Sequence, residues 1–216
     1  REKQITERKL LQSQINPHFL YNTLDSIIWM IQSKKYEGAG KMVSMLAKFF
    51  RISLSQGKDI IPLQKELEHA VSYLSIQNVR FQDKFTFTVD WDEKLADCLC
   101  PKLVIQPLLE NAVYHGMEGM YEDGEIQLKI YAVNELVHID VIDNGEGMTE
   151  AQVQKMMQGD VVSSKRGSGI GVKNVNDRIK LYFGEAYGVQ IISAPDEGTT
   201  ARIYFPMRRQ EDETEK

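Results

Sequence analysis

The chain has 216 residues, enough for one large domain or two small ones, and 42% hydrophobic with 26% charged residues is the balance of an ordinary globular protein. Its net charge of −5 excludes a broad basic field that would hold a nucleic-acid backbone, so no direct nucleic-acid partner is expected. The longest strongly apolar run near the start, Ile27-Ile28-Trp29-Met30-Ile31, is far too short to cross a membrane, and the first residues do not read as a secretory leader.

The chain opens at Arg1 without an initiator methionine and is expected to be cut from a longer protein whose upstream part is missing. Leu20, Leu24, Ile27, Ile28 and Ile31 recur at helical spacing, and Ile5, Leu11 and Ile15 extend the pattern backwards. Pro17 lies inside this pattern and should kink or loosen the helix beside His18. Met42, Met45, Leu46 and Phe49 form a second amphipathic stretch, with Gly38 and Gly40 punctuating the gap. Two helices so joined make an antiparallel hairpin. A lone hairpin buries too little surface, so it needs either a second copy, giving a dimeric four-helix bundle, or the rest of its own chain.

Pro62 suits the first position of a helix and opens Leu63 to Arg80. The period then changes. Phe85 to Trp91 alternates as a strand, Pro101 to Met117 reads as helix, and Glu125 to Tyr131 with Glu135 to Ile142 reads as a hairpin turning at Asn134. Thr149 caps a short helix, Asp160 to Ser168 is a polar loop, and Ile170 to Phe183 is helical. Gly188 to Ser193 and Thr199 to Phe205 are strands. This ordering predicts an α+β fold: a helical hairpin followed by an α/β sandwich whose sheet is mixed and mostly antiparallel. The domain boundary falls near Arg80, giving 1–80 and 81–207, and 208–216 is a charged tail expected to fray. Cys98 and Cys100 are too close for a disulfide framework and read as buried free thiols of a reducing cytosol.

Three segments carry chemistry. In Pro107 to Gly116, Asn111 and His115 share a helical face. The Asn111 amide oxygen suits Mg²⁺, which keeps several waters and takes few protein groups beside phosphates. His115 can donate to a phosphate oxygen, and Glu110 can orient or deprotonate a nucleophile. Asp143 ends a strand and enters Asn144-Gly145-Glu146-Gly147; its carboxylate can accept from an adenine amino group, while Gly145 and Gly147 let backbone pass close to a flat base. Gly167, Gly169 and Gly171 precede a helix, where a glycine-rich lid can present amides to phosphates. Lys165 and Arg166 stand beside that lid. Thr199, after Gly198, can support Asp143 through a water, and Asn174 with Arg178 can brace the lid helix. Taken singly, each is equally well a polar helix surface, a strand-ending turn or a loop; their order and spacing make them one ATP site.

Residues 107–116, 143–148, 167–171 and 198–199 resemble the N, G1, G2 and Gly-Thr boxes of the GHKL ATPases, which include histidine kinases, gyrase-type topoisomerases, MutL and Hsp90. The stretch Gln14 to Asn22, with Asn16-Pro17-His18-Phe19 at its centre, resembles the phosphoacceptor box of LytS/YesM-type sensor histidine kinases. Tyr73-Leu74-Ser75-Ile76-Gln77, Arg80-Phe81 and Gln106 to Ala112 resemble the YesM-like branch more closely. The resemblance implies a Bergerat-fold domain binding ATP and Mg²⁺ behind a homodimerising hairpin. It implies that His18 accepts the γ-phosphoryl group and passes it to an aspartate of a response-regulator receiver domain, often with an AraC-type output. It also implies an upstream membrane sensor that would hold this fragment at the cytoplasmic face.

A free imidazole titrates near ~6.5, so His18 should be largely neutral at cytosolic pH and need orientation more than deprotonation. Many histidine kinases place an acid directly after the histidine; Phe19 stands there instead. Asn22, one turn on, is the first candidate to hold the ring, with Asp25 and Glu110 as alternatives, and the base stays open. His69 and His138 read as ordinary helix and strand residues. The rival readings are an ATP-driven clamp that hydrolyses ATP without a phosphohistidine, a serine kinase acting on a regulatory partner, and an idle binding module.

Overall fold

The computed structural model describes residues 17–54, 59–82, 84–116, 123–160 and 169–209, with 115, 116 and 169 described by backbone alone. Helix α1 spans Pro17–Gln32 and buries Phe19, Thr23, Ile27 and Met30, a stripe at the three-to-four spacing of a helix face. Helix α2, Tyr36–Ser53, answers with Ala39, Met42, Leu46, Phe49 and Ile52. The reversal is tighter than the glycines suggest. It occupies Ser33 to Lys35 with Lys34 at φ +60°, and Gly38 and Gly40 lie inside α2. The expected bend at Pro17 concerns residues before it, which lie outside the described residues.

Strand β1, Ile60–Pro62, leads into helix α3, Leu63–Arg80, with the boundaries that Pro62 and the apolar period predict. Helix α3 packs on α2: the His69 ring stacks on Phe49 at 4.3 Å and accepts or donates at Ser53 Oγ over 2.8 Å. Both described helices of the hairpin therefore lean on the same chain, with Phe19 against Phe49 and Tyr73 at 5.0 and 5.3 Å.

The helix expected over Pro101 to Met117 is shorter. Strand β3, Leu99–Pro101, pairs antiparallel with β1, Leu103 adopts φ +60°, and helix α4 begins only at Gln106 and runs to Asn111, followed by a π-helical turn, Ala112–Gly116. The cause lies far away in sequence. The buried Glu66 carboxylate of α3 accepts the amides of Leu103 at 2.8 Å, Val104 at 2.8 Å and Ile105 at 3.0 Å, and so caps α4 from outside.

The sheet has five strands: β2 (Phe85–Trp91), β4 (Gly124–Val133), β5 (Leu136–Asp143), β6 (Gly188–Ser193) and β7 (Thr199–Pro206), in the order β2-β4-β5-β7-β6. Only β2 and β4 run parallel; the other pairs are antiparallel, as the alternation predicts. Asn134 and Glu135 both take positive φ in the two-residue turn between β4 and β5, which matches the strand twist. Helices α4, α5 (Glu150–Gln158) and α6 (Gly169–Phe183) share the core with Ile126, Leu128, Ile139, Val141, Ile203 and Phe205. Thr149 and Gln152 form a capping box on α5, and Gly159 ends it in the left-handed region. The opposite sheet face is polar, with Asp140 taking a two-bond grip from Arg202 at 2.8 and 2.7 Å.

Arg208 and Arg209, expected to fray, are held: the Arg208 carbonyl accepts the Leu99 amide at 2.8 Å and Arg209 bridges to Cys98. Cys98 and Cys100 are buried free thiols. Among the described residues no helix is long and apolar enough to cross a membrane.

Candidate nucleotide site

Asp143 closes β5 opposite Thr199 of β7 and is 8% exposed. The Gly145 amide donates to Oδ1 at 3.0 Å, and the Thr199 amide adds a second bond. Burial pushes the carboxyl up to about 6, and the two amides only partly offset it. The result is a desolvated, rigidly aimed acceptor, ionised at neutral pH, suited to an exocyclic amino group.

Two glycines make this geometry possible. A Cβ on Gly147, at φ +68°, would collide with the Ala194 carbonyl, and one on Gly198, at φ +80°, with the carbonyl of Asp143 itself. Ser193 locks the same corner: its hydroxyl accepts the Met148 amide at 2.9 Å, donates to the Gly198 carbonyl at 2.8 Å and meets the Thr199 hydroxyl at 2.9 Å. The Thr199 hydroxyl meets Ser193, and its backbone amide supports Asp143 directly. The Asn144 side chain is committed to the start of β4, accepting from the Glu125 amide and donating to the Asp123 carbonyl, both at 2.8 Å. Any share Asn144 has in a ligand site falls to its backbone.

Asn111 ends α4, half-buried, as the π turn begins. That turn carries the His115 backbone; the His115 side chain lies outside the described residues. Turns of this kind concentrate at functional sites. Glu110 accepts from Gln106 Nε2 at 2.9 Å, and burial raises its pKa. Its charge acts on the Tyr73 hydroxyl, which places it toward α3. Helix α6 is described from Gly169, and Gly171 seats it on α4, where an added Cβ would stand 3.4 Å from Pro107. Gly167, with Lys165 and Arg166, lies outside the described residues. Asn174 is exposed; Asn176 accepts the Val189 amide at 3.0 Å and ties α6 to β6, while Arg178 reaches Asp59 at 3.9 Å.

The structure therefore gathers Asp143, Gly145, Gly147 and Thr199 at one corner and sets helix α4, which carries Glu110 and Asn111, against helix α6, where Gly171 faces Pro107. His18 and Asn22 stand on the separate helix α1. There the Asn22 Nδ2 lies 2.9 Å from Nδ1 and 3.0 Å from Nε2 of the half-buried His18 ring. Among the described residues no cluster of three or more His, Cys, Asp or Glu is placed to hold a metal. The donor set fits Mg²⁺ only in the sparse manner that cation favours, one neutral amide oxygen at Asn111 completed by water and phosphate. Glu66, Ser193 and Asn176 escaped the sequence reading. The first binds amides 37 to 39 residues away, which no local pattern marks.

A buried acidic acceptor at a strand end, flanked by close-packed glycines, in a sheet that shares its core with a short helix ending in asparagine, defines a nucleotide-binding sandwich with helices on one face. Residues 98–209 match the family of histidine kinase-, DNA gyrase B-, and HSP90-like ATPases, and residues 6–85 match the histidine kinase family. The chain belongs to that ATPase family and carries the histidine kinase element ahead of it. It is 40% identical over 213 residues to the sensor histidine kinase YesM of Bacillus subtilis, covering 97% of this chain and 35% of that protein. It is 34% identical over 211 residues to the sensor protein LytS of Bacillus anthracis, covering 97% and 36%. The chain thus spans about a third of the length of these relatives. Two solved structures share the fold. The histidine kinase domain of the Erythrobacter litoralis EL346 blue-light activated kinase superposes with a TM-score of 0.52 at 18% identity, covering 92% of each chain. Full-length ShkA in complex with AMPPNP gives 0.54 at 16% identity, covering 80% of this chain and 37% of that one.

Proposed function

We propose that this chain is the kinase core of a two-component sensor: it autophosphorylates His18 from ATP and hands the phosphoryl group to an aspartate of a response-regulator receiver domain. The observation that carries the reading is the pairing of two features in one chain. Asp143 is an amide-locked, desolvated acceptor fit for adenine, and His18 is a half-buried imidazole fixed by Asn22 on a helix of a different domain.

In this reading Asp143 selects the base, while Gly145, Gly147 and the Asn144 backbone form the surface beside it. Asn111 holds Mg²⁺, which supplies charge neutralisation at the phosphates. His115 and the amides of Gly167, Gly169 and Gly171 align the phosphate chain. Phosphoryl transfer passes through a loose transition state, so alignment and charge dominate the barrier. One nitrogen of His18 attacks the γ-phosphorus, the P–O bond to the β-phosphate breaks, and the other nitrogen keeps its proton. Asn22 holds the ring. Glu110, on the face toward α3 and raised by burial, is the alternative group to accept a hydrogen bond from that N–H.

The chain acts as a homodimer. Tyr21, Leu24, Ile28 and Ile31 form an exposed apolar stripe along α1, and Tyr36, Val43 and Leu54 continue it on α2. The inward stripes already pack on α3, so this second stripe is left for a partner copy and completes a four-helix bundle. The domains in this reading are 1–80, 81–207 and the tail 208–216. The sensor lies upstream across a membrane, with this part at its cytoplasmic face, and the regulator has an AraC-type output.

The test is incubation with γ-labelled ATP and Mg²⁺. Protein-bound label that is acid-labile, base-stable and absent from His18→Gln supports the kinase. Phosphate release without protein label supports a hydrolysing clamp and defeats the proposal.

A further inference from the structure

Gln77 is fully buried in the last turn of α3, where an unpaired amide would cost a few kcal/mol. Both the nitrogen and the oxygen of that amide have partners. Its Nε2 donates to the Tyr73 hydroxyl at 2.8 Å and to the Tyr114 hydroxyl at 3.3 Å, and its Oε1 accepts from Arg80. Arg80 also donates to Tyr114 at 3.4 Å. The two tyrosines belong to opposite ends of the molecule's chemistry. The Tyr73 ring packs at 5.3 Å on Phe19, the residue after His18. Tyr114 sits in the π turn that follows Asn111 and includes His115. Phe81 presses edge-on against Tyr114 at 6.1 Å and closes the group from the far side. A part-buried polar network of this kind favours one arrangement, and breaking one bond weakens the others that share its groups.

We propose that Gln77 and Arg80, acting through the Tyr114 hydroxyl, are positioning residues that tie the orientation of the Asn111–His115 turn to the phosphoacceptor helix. A shift of α1 at Phe19 must be carried by Tyr73 and the shared Gln77 amide, or must break them. The polar group is therefore a mechanical link between the hairpin and the nucleotide side. It contacts neither base nor phosphate. This inference rests on the kinase reading for its role in phosphoryl transfer, but the link itself does not depend on that reading.

The test is a double-mutant cycle of Tyr114→Phe and Gln77→Leu in the 216-residue chain, with three readouts: the Kd of a nonhydrolysable ATP analogue, the rate of His18 labelling at saturating ATP, and amide exchange over residues 106–116. Tyr114→Phe removes a single oxygen and keeps the ring, so it serves if Gln77→Leu fails to fold. Each single variant is expected to lower the labelling rate about tenfold while the Kd stays within about twofold, and the double variant is expected to be no worse than the worse single. Exchange over 106–116 should quicken about tenfold in each variant, with the same non-additivity. Unchanged rates and exchange overturn the proposal, as do losses that multiply or a Kd that weakens in step with the rate. If the unaltered chain takes no label, the kinase reading fails by itself, and the exchange cycle still decides whether the link exists.

Discussion

The Asn22 amide nitrogen stands almost equidistant from both ring nitrogens of His18, at 2.9 and 3.0 Å. Ring nitrogens are only about 2.2 Å apart, so an amide this close to both sits over the ring edge rather than in line with one lone pair, short of the linear geometry of a full hydrogen bond. It steadies the imidazole by donating to whichever ring nitrogen carries the lone pair, which the tautomer decides. Asn22→Ala should therefore leave analogue affinity unchanged and lower the autophosphorylation rate about tenfold, the scale of one lost orienting contact. A fall in affinity as large as the fall in rate would place Asn22 elsewhere in the mechanism.

Asp143 and His69 respond to acid in opposite directions. The folded Asp143 carboxyl titrates at about 6 because burial disfavours its charge. Its contribution to stability is full below the unfolded value near ~3.9 and is lost as pH rises through 6. His69 is lowered to about 4 by burial, so its contribution is full above ~6.5 and is lost as pH falls toward 4. Each swing is on the order of 3 kcal/mol at ~1.4 kcal/mol per pH unit, and between pH 4 and 6 the two largely offset. Asp143→Asn should melt higher than the unaltered chain at pH 7.5 and lose that advantage in acid, in urea titrations at both pH values. A less stable Asp143→Asn at pH 7.5 would contradict the burial argument.

The same carboxylate sets the pH dependence of binding. Only its ionised form offers acceptors in every direction to an adenine amino group. Analogue affinity should fall as pH drops below about 6 and should be at least tenfold weaker in Asp143→Asn at pH 7.5, read by calorimetry. Equal affinity at pH 5 and 7.5 would mean that the base docks elsewhere.

Gly198 has no room to change. At φ +80° any side chain is strained, and a Cβ would overlap the Asp143 carbonyl. Gly198→Ala should cost about 3 kcal/mol or more and abolish analogue binding. A melting temperature within a degree or two of the parent would refute this.

Much of the fold was legible because its periods are local. Helix α3 follows from Pro62 and an uninterrupted apolar stripe, and the β4–β5 turn from Asn134 between alternating strands. Asp143 and Gly147 were legible because each sits where a strand ends in a glycine-rich turn. The exact helix over 106–116 was not, since Glu66 decides its start from another helix and Leu103 breaks the chain at positive φ. Gly38 and Gly40 misled because α2 is stabilised by packing on α3, which overrides their weak helix propensity. Ser193 and Asn176 act through partners brought near only by folding.

The exposed stripe on α1 gives a separate check on assembly. Ile28, 51% exposed, carries no core packing in one copy. Ile28→Glu should leave the melting profile of the single chain close to the parent and convert dimer to monomer, measured by sedimentation across a concentration series. A parent chain that is monomeric at every concentration would remove the bundle from the account.

The most direct measurement is mass-spectrometric mapping, under alkaline handling, of the phosphoryl group after one turnover with ATP and Mg²⁺. The account predicts a single phosphoryl group on the peptide containing His18, missing from Asp143→Ala. A phosphoryl group on another residue, or free phosphate released from an unmodified chain, would contradict it.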